Sequence, residues 1–179
     1  MAAAHVRIRP AEARDAIGMA RVHARSWPAT YRGLVPDDVI AGVVAQEAIR
    51  AERFRALIAN PDSGRRGWVA TDHGTVIGLA FSGPSRDADA SPGTAEIDAI
   101  YLDPDALRQG IGRQLMATVT ADLRDRGFAT ATLWVLDANA SARSFYAALG
   151  WRPDGATKSE PRPGGVLEEV RYARPLTGT

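Results

Sequence analysis

The chain has 179 residues, 22 Lys and Arg against 21 Asp and Glu, a net charge of +1 and no cysteine. That length suits one domain with its own core, and the balanced charge gives no reason to expect nucleic acid as a partner. The absence of cysteine excludes disulfides, a thiol nucleophile and an acyl-cysteine intermediate.

No run approaches membrane-spanning length, and Met1 to Val6 carry no apolar signal region, so no membrane partner and a cytoplasmic location are expected. His5 to Arg9 reads as a first strand ended by Pro10. Ala13, Ile17, Ala20 and Ala24 recur at helical spacing and predict a helix ending near Ser26. A proline-bounded loop, Trp27 to Pro36, follows with Trp27, Tyr31 and Arg32. Pro36-Asp37-Asp38 opens a short helix, and Gln46 to Ala59 forms another, stopped by Asn60-Pro61. Gly67 to Thr71 and Thr75 to Phe81 read as strands joined by the turn Asp72-His73-Gly74. Gly83 to Gly93 is a polar loop expected to be mobile, and Ala95 to Leu102 the next strand.

After that strand comes Asp103-Pro104-Asp105-Ala106-Leu107-Arg108-Gln109-Gly110-Ile111-Gly112-Arg113. Ile111, Leu115, Val119 and Leu123 then line one helical face, ending before Gly127. A strand turning through glycines into a helix N-terminus presents free backbone N–H groups and the positive end of a helix dipole, which suits a phosphate or pyrophosphate. No Gly-Lys-Ser/Thr ending marks a Walker loop, and Leu115 stands where a dinucleotide fingerprint wants a third small residue. Asp103 and Asp105 would repel an anion, so the amides, Arg108 and Arg113 must outweigh them.

Ala131, Leu133 and Val135 alternate with Thr132 and Trp134 as in a strand. Asn139 is placed to cap a helix carrying Ala142, Phe145, Tyr146 and Leu149 on one face, with Gly150 at its end. Trp151 and Arg152 begin a last hairpin, with a loop from Asp154 to Gly165 and an outer strand from Val166 to Arg174. These elements predict a mixed α/β sheet of about seven strands in one domain, with helices on both faces.

Two stretches together, positions 107 to 112 and Asn139 to Trp151, resemble the GNAT superfamily of acetyl-CoA-dependent N-acetyltransferases. The likeness runs from about Glu96 to Trp151, within a cofactor-binding core of about 95–151. Gly110 and Gly112 match the family's glycine signature, whereas Leu107 departs from its Gln/Arg and removes one side-chain donor. The resemblance implies two splayed central parallel strands with the pantetheine arm of acetyl-CoA in the gap. It places that arm on the backbone of Ile100, Tyr101 and Leu102, and the pyrophosphate on the amides of Arg108, Gln109, Gly110, Ile111, Gly112 and Arg113. It also places Asn139 on a pantetheine amide and the Tyr146 phenol at the thioester sulfur.

Each role has a plainer rival. Asn139 can be only a helix cap, and Tyr146, beside Phe145, only a core aromatic. Glu96 lies at the offset where some relatives carry a general base, and Asp98 shares its strand face; burial near the gap would raise a carboxylate pKa and help a base. A water chain and a solvent-facing carboxylate are the alternatives. Trp27, Tyr31 and the late loop with Lys158, Glu160 and Arg162 are the expected walls of the acceptor pocket, Trp27 equally a hydrophobic plug. Trp134 stands where N-terminal acetyltransferases of proteins carry a glutamate, which favours a small-molecule amine over a peptide or protein amine. His5, His23 and His73 lack metal-ligand spacing, so no metal is expected. Ser141 and Ser144 lack a nucleophile-elbow context. A catalytically degenerate acetyl-CoA sensor stays open, as does a homodimer.

Overall fold

The sheet has the strand order β1-β2-β3-β4-β5-β7-β6 in a computed structural model that describes residues 5–162 and 165–177. Its strands are β1 Val6–Pro10, β2 Arg66–Asp72, β3 Thr75–Pro84, β4 Thr94–Leu102, β5 Thr130–Leu136, β6 Arg152–Arg162 and β7 Gly165–Pro175. The helices are α1 Ala16–Tyr31, α2 Asp37–Ala45, α3 Glu47–Ala59, α4 Ile111–Asp125 and α5 Ala140–Ala148. The β2–β3 turn has both His73 and Gly74 in the left-handed region, the conformation that matches the twist of a tight hairpin.

Alternation decides which helices cover which face. Ala95 and Ile97 of β4 and Ala131, Leu133 and Val135 of β5 pack with Leu115, Met116, Val119 and Leu123 of α4. Val69, Leu79 and Phe81 turn the other way, onto Ala16, Met19 and Ala20 of α1 and Ala51 and Phe54 of α3. A bulge in β4 switches the faces: Ile97 opposes Ser82 and Ala99 opposes Phe81, leaving Asp98 as the extra residue. Beyond it Ile100 and Leu102 face α4, while Ala99 and Tyr101 join the α1–α3 side.

Four sequence expectations need correction. First, α1 continues through Pro28 to Tyr31, so Trp27 and Tyr31 are helical. Proline removes only the N–H that would reach the Ala24 carbonyl. Packing of Trp27 and Tyr31 on Val35, Val39, Ile40, Leu136 and Leu167 holds the last turns in place. Second, most of the expected loop from Asp154 to Gly165 is strand. Thr157 to Arg162 pair with β7, and a register shift after Pro153 absorbs the Pro-Asp-Gly signal. Pro163 and Gly164 of that loop lie outside the described residues, as do residues 1–4 of the N-terminal segment. Third, β7 is not an outer strand: it lies between β5 and β6. Fourth, β3 runs on to Pro84, and the segment after it is anchored, as described below. Among the described residues no helix is long and apolar enough to cross a membrane.

Candidate active site

The parallel pair β4 and β5 is joined only at Thr94–Thr130, Ala95–Ala131 and Glu96–Thr132. From Ile97 onward the two strands part, while each keeps its outer neighbour, β3 or β7. The result is a wedge-shaped gap whose edges carry backbone groups without strand partners. Ile100, Tyr101 and Leu102 form the β4 edge of that gap.

The gap opens toward the turn 103–110. Asp103 caps a short turn over Pro104–Ala106 by accepting from the Asp105 amide at 3.0 Å. Arg108 and Gly110 both have positive φ, 60° and 80°. Gly110 is the N-cap of α4, whose 15 residues bury Ile111, Gly112, Leu115, Val119 and Leu123. The amides of Arg108 to Arg113 donate to no backbone carbonyl among the described residues, as the open first turn of a helix requires. A Cβ at Gly110 would meet nothing within 4 Å, whereas one at Gly112 would lie 3.3 Å from Leu102 and 3.5 Å from the Phe145 ring. Gly110 thus leaves the outer face of the turn open, and Gly112 lets α4 sit against β4.

The repulsion expected from Asp103 and Asp105 is relieved by a residue that the sequence did not single out. Arg25 of α1 places Nε 2.9 Å from Asp103 and Nη2 2.9 Å from Asp105. Leu107, at the departing signature position, is exposed.

On the α5 side, Asn139 is buried and its side-chain oxygen accepts from the Ala142 amide at 3.1 Å, a direct N-cap. Tyr146 is also buried, with ring contacts to Phe145, Trp151 and Tyr172. Burial and the neighbouring Tyr101 hydroxyl push its phenol pKa well above the ordinary value. The phenol is therefore protonated around neutral pH.

The two β4 carboxylates separate in character. Glu96 is 5% exposed and held by Arg86, Nε at 3.1 Å and Nη2 at 2.9 Å, with the Arg86 amide at 3.2 Å. Arg65 stands 3.6 Å away. Burial opposes the charge, but these donors together lower the Glu96 pKa from its ordinary value. The expectation that burial raises its pKa is corrected here, because the arginines come from distant parts of the chain. Asp98, at the bulge, lies 2.9 Å from Arg65 and 3.0 Å from Arg86. Desolvation, reinforced by Glu96 beside it, outweighs both arginines and lifts its pKa to about 6.

Stability responds to pH in opposite senses at the two sites. Glu96 contributes stability above its unfolded value of 4.5, lost as pH falls through its lowered pKa. The contribution from Asp98 is complete below 3.8 and is lost as pH rises through about 6.

Above these carboxylates runs a strap, residues 85–89, between β3 and β4. Arg86 ties it to β4, while Asp87 accepts from the Trp134 indole of β5 at 3.1 Å and from Arg171 of β7 at 3.1 Å. Arg171 also holds Asp89 at 2.7 Å and Asp154 at 2.7 Å. The loop expected to be mobile is therefore fastened to both sides of the gap. Lys158, placed by sequence on the acceptor wall, lies 4.4 Å over the Trp134 ring and 3.1 Å from Glu169. Glu160 and Arg162, the other two residues placed there, pair with each other at 2.7 Å.

Trp27 and Tyr31 lie at the mouth of the gap, their rings 4.5 Å apart. The Tyr31 hydroxyl shares a hydrogen bond with Tyr101, and desolvation raises both phenols. Trp27 donates its indole N–H to His23 at 3.0 Å, and His23 stacks edge-on against Tyr101 at 4.6 Å. Trp27 is thus both a packing residue and part of a polar chain leading to β4.

The Acetyltransferase (GNAT) family model matches residues 27–151. The chain is 32% identical to an uncharacterized N-acetyltransferase, YuaI, of Bacillus subtilis over 95% of its own length and 93% of that protein's. It belongs to the GNAT acetyltransferase family. It is also 30% identical to the phosphinothricin N-acetyltransferase of Alcaligenes faecalis, over 86% of this chain and 73% of that one. Among solved structures, the PaiA N-acetyltransferase of Thermoplasma acidophilum, in complex with coenzyme A, superposes with a TM-score of 0.76 at 19% identity, covering 95% of this chain and 98% of that one. As a GNAT protein the chain is an N-acetyltransferase, and the mixed seven-stranded sheet is the fold of that family.

Proposed function

We propose that this GNAT enzyme moves the acetyl group of acetyl-CoA to the primary amine of a small molecule by direct attack. The observation that carries the reading is the gap between β4 and β5, open toward unbonded amides at 108–113 and closed on the α5 side by buried Tyr146. The donor set fits the co-substrate: N–H groups at a helix start for a pyrophosphate, and strand edges for an amide-bearing arm. Acetyl-CoA supplies an activated thioester; the residues of the chain orient it, stabilise the leaving sulfur and take up the proton of the amine.

The amides of Arg108 to Arg113 hold the pyrophosphate, and the β4 edge at Ile100 to Leu102 takes the arm as an added strand. Asn139 has committed its side-chain oxygen to the cap, which leaves its NH2 group to donate to that arm. The amine nitrogen bonds to the acetyl carbon while the C–S bond breaks. Tyr146 donates a hydrogen bond from its phenol to the departing sulfur; with a thiol pKa near ~8.5 against ~10 for a phenol, the sulfur leaves as a hydrogen-bonded thiolate that takes its proton from solvent, and the phenol keeps its own. The proton of the amine goes to Asp98 by way of water, because Asp98 rather than Glu96 has its pKa near neutrality. Glu96 anchors Arg86 and the strap.

Release of coenzyme A followed across a panel of primary amines tests the reading. Amine-dependent release with a matching acetylated product is expected. Turnover of peptide N-termini but of no small amine would overturn it. At saturating substrates kcat should fall on the acid side with a midpoint near about 6, as the base acquires its proton. In Asp98→Asn that limb should disappear together with about 10²-fold or more of kcat. Glu96→Gln should instead keep the limb and lower the melting temperature. The parental profile in Asp98→Asn would return proton removal to solvent.

A further inference from the structure

Arg65 belongs to the segment between α3 and β2, outside the chain that forms the gap. Its side chain is nonetheless 9% exposed and ends at the β4 bulge, with Nη1 2.9 Å from Asp98 and Nη2 3.6 Å from Glu96. A glycine lets it reach there. A Cβ at Gly83 of β3 would lie 2.7 Å from Arg65 Cγ, 2.8 Å from its Nη1 and 3.0 Å from its Cα. Gly83 is paired with Glu96 across the β3–β4 ladder, so the guanidinium passes over bare backbone on its way to the two carboxylates. Gly83 has no positive φ, and the close approach of Arg65 is what requires a glycine here.

The root of the side chain is fixed as well. Ser63 Oγ accepts from the Arg65 amide at 3.1 Å, and the Gly64 carbonyl accepts from Arg126. Arg65 Nη2 donates to the Pro84 carbonyl at 3.3 Å.

Two arginines flank Asp98 at nearly equal distance, 2.9 Å for Arg65 and 3.0 Å for Arg86. Exposure separates them. The Arg86 side chain is 64% exposed, so water screens its charge, and its Nε and Nη2 already bond to Glu96. Arg65 acts from the interior, where the same separation is worth more. Arg86 thus fastens the strap to Glu96, and Arg65 holds Asp98. The hold is one of charge, since neither Arg65 Nη1 nor Asp98 Oδ1 makes a hydrogen bond. Among the described residues, Arg65, Arg86 and Glu96 are the charged groups that act on Asp98.

We propose that Arg65 is a positioning residue: laid across the bare face of Gly83, it fixes the Asp98 carboxylate at the point where β4 leaves β5. The assignment rests on the reading of Asp98 as the proton acceptor and adds the residue that keeps that acceptor in place.

Titration of the Asp98 side-chain carboxyl by 13C NMR tests it directly, its resonance being the one lost in Asp98→Asn. The parental midpoint near about 6 should rise by about one pH unit or more in Arg65→Met. The acid limb of kcat should move with it, so that turnover of the best amine in the panel falls about tenfold on the acid side. The plateau at high pH and the affinity for acetyl-CoA should stay as they were. A merely structural arginine would give the reverse, a lower plateau and melting temperature with the midpoint in place. Arg65→Lys keeps the charge and should undo part of the shift. Gly83→Ala keeps Arg65 but displaces it, so it should raise the midpoint in the same sense. Added to Arg65→Met it should change nothing further, because both act through one contact. It also carries the test if Arg65→Met fails to fold. Arg53→Met, exposed on α3, should leave the midpoint unmoved and so control for net charge. A carboxyl midpoint that rises while the kcat limb stays would sink Asp98 as the base and leave Arg65 holding it. A carboxyl midpoint left in place by both Arg65→Met and Gly83→Ala overturns the proposal.

Discussion

Tyr146→Phe should lower kcat by about 10²–10⁴-fold while the affinity for acetyl-CoA barely changes. The substitution keeps the ring and its contacts with Phe145, Trp151 and Tyr172, so packing survives. What it removes is a hydroxyl that burial keeps protonated beside the Tyr101 hydroxyl. Help given to the leaving sulfur acts only as the C–S bond breaks, so the loss falls on the transition state. A purely structural Tyr146 gives the reverse pattern, near-normal turnover for phenylalanine and unfolding for alanine. Steady-state rates with thermal melts of Tyr146→Phe and Tyr146→Ala separate the two. Normal kcat in the phenylalanine variant would leave the sulfur to depart unaided.

Gly110→Val should weaken acetyl-CoA binding by about tenfold or more, ~1.4 kcal/mol. Gly110 has φ of 80°, where a β-branched residue is strained by roughly 1–2 kcal/mol. Its Cβ would meet no protein atom within 4 Å, so the added side chain stands in open space at the turn where a pyrophosphate has to approach. Gly112→Ala makes the contrast, since its Cβ would lie 3.3 Å from the Leu102 side chain, which has to shift by a few tenths of an ångström where α4 meets β4. The first variant should lose ligand affinity with a small drop in melting temperature, and the second should lose stability. Calorimetry with coenzyme A checks both; unchanged affinity in Gly110→Val would remove the turn from the binding site.

Local chemistry was readable wherever a few adjacent residues decide the outcome. The stripe Ile111, Leu115, Val119 and Leu123 is buried throughout, Asn139 caps α5, and His73-Gly74 makes the hairpin turn. Expectations failed where distant partners decide. Pro28 reads as a helix stop, but Leu136 and Leu167, more than a hundred residues on, hold Trp27 and Tyr31 in helix. The Pro and Gly content of 153–165 signals a loop, yet pairing with β7 makes it a strand. Placement of β7 between β5 and β6 cannot follow from either strand alone.

The candidate site divides in the same way. Tyr146, Asn139 and the turn 108–113 belong to contiguous motifs, and the glycine spacing marks them. Arg25, Arg65 and Arg86 carry no motif, because their significance lies in what each faces across the fold. Glu96 shows the limit most clearly. Its offset in β4 was visible, but the sign of its pKa shift depends on Arg65 and Arg86, which the strand itself does not contain.

The strap bears on how a ligand enters. With Arg86 on the β4 carboxylates and Asp87 and Asp89 on Arg171, it bridges the two half-sheets on one face of the gap. Trp27, Tyr31, Leu136 and Leu167 bridge them again at the mouth. The half-sheets are therefore not hinged leaves that swing shut around a guest. They form a slot whose width is set when the chain folds. An extended arm sliding into it orders few residues that were not already ordered, so affinity should come with little loss of conformational freedom on the protein side.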